Sequence, residues 1–116
     1  MTNDELKLMA LKVLEEAARQ ARLMPVPRSL GLRFALAWLY AAGGGEKWLY
    51  DGFWREATRP VGAGSEEGPA AIVRSQTVNA CLNGIYRAVG VERTAELQFP
   101  EESTGRRAAA NDTSAA

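Results

Sequence analysis

Apolar residues recur along this chain every three or four positions and nowhere alternate over several residues, so the pattern predicts helices from end to end. Thr2–Asn3–Asp4–Glu5 reads as a capping box. The Thr2 hydroxyl can accept the Glu5 backbone N–H while the Glu5 carboxylate reaches back. A first helix is expected from Asn3 to Leu23, with Leu6, Met9, Ala10, Val13, Leu14, Ala17 and Ala21 on its buried stripe. Leu8 and Leu11 fall off that stripe and are expected to meet a second layer, a partner or a second copy. Met24–Pro25–Val26–Pro27 stops this helix, because each proline disfavours helical geometry at the residue before it.

Ser29 caps a second helix, Leu30 to Ala42, whose run LGLRFALAWLYAA carries Arg33 as its lone charge. A helix apolar nearly all round belongs in the middle of a bundle. Phe34, Leu36, Ala37, Trp38, Leu39 and Ala41 are therefore expected in the core, and this helix is expected to be the most buried. Gly43–Gly44–Gly45 ends it. A third helix, Glu46 to Thr58, should bury Leu49, Tyr50, Phe53, Trp54 and Ala57. Gly52 marks a kink within it or a late start capped by Asp51.

Glycine, proline, serine and paired acids make Arg59 to Ala70 a loop, expected to be mobile. Ala71–Ile72–Val73 is short and suits an extension of the next element. The fourth helix begins near Arg74 or Ser75 and runs to Val89. Val78, Cys81, Leu82, Ile85, Tyr86, Ala88 and Val89 make one broad apolar face, with Gly90 in the position that ends a helix and Val91 as its apolar partner. From Glu92 to Pro100 a short turn is expected to fold Leu97 and Phe99 back onto the bundle. Glu101 to Ala116 has no large apolar residue and is expected to be a disordered tail. The fold class is thus all-α: a compact bundle of four main helices over residues 1–100, with a tail at 101–116.

Composition narrows the chemistry. The 116 residues include no histidine and one cysteine, Cys81. The usual general base near neutral pH and the commonest metal ligand are missing, as is any Ser–His or Cys–His pair. Adjacent carboxylates at Glu15–Glu16 diverge by about 100° on a helix, and those at Glu66–Glu67 and Glu101–Glu102 fall in apparent loops. No catalytic residue, cofactor or metal site is expected, and the chain reads as a non-enzyme. A lone cysteine suits a reducing cytoplasm. The start MTNDELK does not resemble a signal peptide, and Leu30–Ala42 is too short to span a bilayer. Arginine and alanine enrichment suits a GC-rich bacterial or phage genome.

Two surfaces stand out. Gln76, Asn79, Asn83 and Arg87 fall within about 80° of one another on the fourth helix with no acid between them. Amides and a guanidinium suit hydrogen-bonded recognition of a protein partner, and a hydrogen-bonding role inside the bundle would equally explain two asparagines on one helix face. Trp48 falls off the apolar face of its helix and is expected at the surface. These five residues define the leading reading, a small adaptor, inhibitor or regulator that binds another protein or a second copy of itself. The alternative is a DNA-binding regulator. It would use residues 74–89 as a recognition helix, Asn79, Asn83 and Arg87 for bases, and Arg19, Arg22 and Arg28 for phosphates. Zero net charge and the acidic loop before that helix weigh against it. The aromatics around the glycine turn also allow a small-ligand pocket near Trp38 and Trp54.

Overall fold

The computed structural model describes residues 1–62 and 67–98. Thr2 accepts the Glu5 N–H at 3.1 Å through its hydroxyl, and from that cap α1 runs Asn3–Ala21. Ser29 repeats the device, accepting the Leu32 N–H at 3.2 Å, and α2 spans Leu30–Gly43. Between them the proline segment turns the chain, and the Val26 N–H bonds the Ala57 carbonyl at 2.7 Å. After the glycine turn α3 runs Lys47–Thr58 without interruption. Gly52 neither interrupts it nor delays its start, and Asp51 is not its cap. The absent side chain instead lets α3 lie close to Cys81, whose Sγ would stand 3.2 Å from a Cβ at this position.

The next helix, α4, spans Glu67–Val89 and so begins well before Arg74. The loop expected at Arg59–Ala70 is shorter than its composition suggested. Pro69 falls in the first turn, where a missing N–H costs nothing, and Glu67 there meets the positive end of the helix dipole. At its other end Gly90 has φ 75°, its N–H bonds the Arg87 carbonyl, and the Val91 N–H reaches the Tyr86 carbonyl at 3.1 Å. This paired closure needs a residue with positive φ, which glycine supplies without strain. A short α5, Ala95–Gln98, returns Leu97 to the core. The expected tail at 101–116, the domain limit at residue 100, and Phe99 lie outside the described residues.

Among the described residues all regular structure is helical, with four substantial helices and one short one, as the spacing of apolar positions predicts. α1 packs on α2 and α4, and the most extensive packing is that of α3 on α4. Gly84 permits that approach, since a Cβ there would lie 2.6 Å from Leu49 Cδ2. Phe53, Leu11, Leu14, Leu39, Leu82, Ile85 and Val78 are the largest fully buried side chains. Each contributes roughly 1.5–3 kcal/mol relative to exposure.

Two faces differ from their expected orientation. On α1 the buried arc is Leu11, Leu14, Glu15, Ala17, Ala18 and Ala21, whereas Met9 and Val13 are exposed. The core face is turned by roughly one residue's step, about 100°, from the stripe with the most apolar members. Leu11, expected off the stripe, is 0% exposed and unavailable to a partner. On α2 only Leu32, Ala35, Leu36 and Leu39 are buried. Phe34, Ala37 and Ala41 are exposed, Trp38 is half-buried, and α2 is not the most buried helix. Its neighbours cover one side only, because nothing among the described residues packs over the other. No described helix is long and apolar enough to cross a membrane.

Candidate functional site

The fourth helix places its amides beside a buried ion pair that joins the two ends of the domain. Glu15 sits on α1 between Leu11 and Ala18, one turn from each, and its side chain is 3% exposed. Burying a carboxylate costs several kcal/mol unless it is paired and fully hydrogen-bonded. Here Arg93 supplies both needs. Its Nε donates to Glu15 Oε1 at 2.7 Å and its Nη2 to Oε2 at 3.1 Å, a two-pronged contact that suits the planar guanidinium. Tyr86 Oη adds a third bond to Oε1 at 2.9 Å. The Arg93 guanidinium also lies over the Tyr86 ring, 5.8 Å from its centroid.

Asn79 and Asn83 complete this network. The Arg93 Nη2 donates to Asn79 Oδ1 at 2.7 Å, and its Nη1 to Asn83 Oδ1 at 2.8 Å. Asn79 Nδ2 donates in turn to the Ser75 carbonyl at 2.8 Å. The two asparagines therefore hold an arginine from the segment after α4. Gln76 and Arg87 remain exposed at the surface. Trp48 is 63% exposed at the start of α3. The five residues of the leading reading thus divide into a pair engaged by Arg93, with Asn79 half-buried and Asn83 exposed, a free surface pair on α4 and a separate aromatic. Of the arginines in the alternative reading, Arg19 pairs with Glu16 at 2.7 Å, while Arg22 and Arg28 are exposed. Arg93 was missed by sequence reasoning. The signal for it was a carboxylate at Glu15 in register with Leu11 and Ala18, which demands a cation from elsewhere.

Burial raises two titrations on α4, each with different charged neighbours. The Tyr86 hydroxyl is pushed well above its ordinary range, first by burial, then by the Glu15 charge and the hydrogen bond to it; Arg93 opposes the shift. The Cys81 thiol is raised by burial and secondarily by Glu56. A thiol so placed is little ionised near neutral pH and a weak nucleophile.

Three further features border solvent. A cleft of about 310 Å³ is lined by Glu15, Arg19, Arg22, Ser75, Asn79 and Arg93, with Ala18 and Gln98. A second, of about 450 Å³, lies between α2 and α3, where Arg33 stacks 5.3 Å from the Trp54 centroid. Tyr40 and Tyr50 line it, their centroids 5.2 Å apart, and Trp38 does not. The third feature is the outer face of α2, where Leu30, 73% exposed, and Phe34, 68% exposed, are followed by exposed Ala37 and Ala41. Among the described residues no three His, Cys, Asp or Glu side chains come together as metal ligands. Comparison with protein families, curated proteins and solved structures finds no match to this chain.

Proposed function

We propose that this protein is a non-enzymatic binding module that docks an amphipathic helix of a partner protein along the outer face of α2. The observation that carries this reading is the spacing of Leu30, Phe34, Ala37 and Ala41. They follow one another at four, three and four residues and all are exposed. That is the seam by which one helix receives another. Large side chains at one end and alanines at the other give this face a ridge and a flat stretch on which a partner's apolar residues can interdigitate. Arg33, on the flank of the seam, favours an acidic residue on the incoming helix. The chain's own remainder is a poor occupant, since Glu101 to Ala116 contains no large apolar residue.

The α4 surface contributes less than its pattern suggests, because Asn79 and Asn83 are already engaged by Arg93. For the same reason the DNA-binding reading draws little support: two of its three base-reading side chains already accept hydrogen bonds from Arg93. An adaptor, inhibitor or regulator working in the cytoplasm is the setting we favour, and the free thiol of Cys81 suits such a compartment.

Photo-crosslinking tests this reading. A photoreactive phenylalanine analogue is placed at position 34 in one preparation and at position 76 in another. The expected result is a crosslink from position 34 to a segment with apolar residues three and four apart, abolished by Leu30→Glu. Crosslinks from position 76 alone would move the interface to α4. A crosslink from position 34 to this same chain would make the partner a second copy.

A further inference from the structure

We propose that the cleft between α1, α4 and the α5 segment is a binding site for a phosphate group. Three guanidinium groups line it: Arg19 from α1, Arg22 just beyond that helix, and Arg93. The single lining carboxylate, Glu15, is already held by Arg93 and Tyr86. With Glu16, which pairs with Arg19, counted beside Glu15, the three guanidinium groups exceed the nearby carboxylates by one positive charge, and Arg22 is the cation with no carboxylate of its own. Such a lining attracts an anion, and a phosphate monoester bears about 1.5–2 negative charges near neutral pH.

An independent observation points the same way. Arg19 Nε is buried and has no hydrogen-bond partner, although Arg19 Nη2 is paired with Glu16. A buried donor left unbonded costs about 1–3 kcal/mol, and a bound ion or water is one of the few ways a native protein offsets that cost. The orphan belongs to a residue that lines the cleft, and because the Arg19 side chain is 27% exposed, a small shift of it would present this N–H to a ligand oxygen.

The choice of a tetrahedral anion over a carboxylate rests on the number and origin of the donors. Arginines reach the cleft from three separate segments, Arg93 with one N–H left after its bonds to Glu15, Asn79 and Asn83, and the Ser75 hydroxyl adds a further donor. A carboxylate has two oxygens in one plane and can satisfy only part of this set. A phosphate offers three or four oxygens in three dimensions. The volume, about 310 Å³, lies at the small end of the usual range for ligand clefts.

The site is separate from the α2 face, so its test is independent of partner docking. Inorganic phosphate is titrated into the full chain by calorimetry, with ionic strength held constant by chloride. Saturable one-to-one binding is expected. Arg19→Gln with Arg22→Gln should weaken it about tenfold or more, since each removes a charge-assisted bond. Removing the same charge elsewhere, by Arg55→Gln with Arg59→Gln, should leave it unchanged. If the first double variant fails to fold, Arg22→Gln alone tests the site, because Arg22 is exposed and holds no other element in place. Tighter binding of glycerol phosphate than of inorganic phosphate would identify a phosphomonoester as the ligand; the reverse would identify the free ion. The proposal is overturned by absence of saturation, by equal losses in both double variants, or by malonate binding as tightly as phosphate.

Discussion

Replacing Arg93 with methionine keeps most of the stem and removes the guanidinium, which strands the Glu15 carboxylate. That carboxylate is 3% exposed and would keep only the Tyr86 hydroxyl, having lost two short bonds to Arg93. Breaking one side of a buried pair costs about 3–5 kcal/mol. Arg93 lies at the edge of the cleft with 12% of its side chain exposed, so water can partly replace it and the low end, about 3 kcal/mol, is expected. In a domain of this size that lowers the melting temperature by about 12–24 °C, at roughly 4–8 °C per kcal/mol. The partner experiment adds Glu15→Gln to Arg93→Met. The amide still accepts from Tyr86 but carries no charge. The double variant should recover about half the loss and leave a deficit near 1.5 kcal/mol from its unpaired amide N–H groups. Urea unfolding followed by tryptophan fluorescence and by circular dichroism supplies both numbers, provided the denaturant slope stays constant. A loss below about 0.5 kcal/mol for Arg93→Met would mean that the pair behaves as an exposed one. Simple addition of the two single losses would mean that the stranded charge is not the cause. Either result refutes the reasoning.

Phe34→Glu should cost less than about 0.5 kcal/mol, as expected of an exposed position, whereas Phe53→Ala should cost about 3–5 kcal/mol; thermal melts of the two separate them. Gly84→Ala gains about 1 kcal/mol of helix propensity but drives a methyl into Leu49, at about 1–3 kcal/mol, so a net loss near 1 kcal/mol is expected in urea titrations. Alkaline titration tests the buried hydroxyl and thiol. Both hold their protons more tightly in the folded chain than in the unfolded one, whose ordinary values are 9.0 for Cys81 and 10.0 for Tyr86. The stability they add is complete below those values and is lost as pH rises through them toward the folded values. The urea midpoint should therefore fall steadily from about pH 9 upward, with Cys81→Ala flattening the first part and Tyr86→Phe the later part. A midpoint unchanged up to about pH 11 would contradict this.

The helices and their caps were legible because they depend on neighbours in sequence. Thr2, Ser29 and Gly90 each close a helix end within a few residues, and local pattern suffices for that. Which face of a helix turns inward is decided by the other helices, and there the pattern misled. On α1 the stripe through Met9 and Val13 holds more apolar residues than the face through Leu11, Glu15 and Ala18. The buried glutamate masked the true core face. On α2 composition is apolar all round, so it contains no signal for which side is left open. The start of α4 was obscured by glycine and proline, although a proline in a first turn is compatible with a helix. Of the candidate site, the amides of α4 were visible as an oddity. Their role was hidden because Arg93 lies beyond the helix end and pairs with Glu15 across 78 residues.

That separation has a consequence for how the chain is made. α1 leaves the ribosome before the other described helices, yet Glu15 meets Arg93 only after almost every described residue has been added, and Lys7 meets the Val89 carbonyl, 82 positions on, hardly earlier. At about 5–20 residues per second the wait is about 4–16 s. Through that interval the first helix carries a carboxylate in the middle of the face it must later bury. An ionised group there, still hydrated, discourages the helix from settling early against α2 alone. Birth order and burial order are thereby reversed among the described helices: the earliest made of them is among the last to be locked.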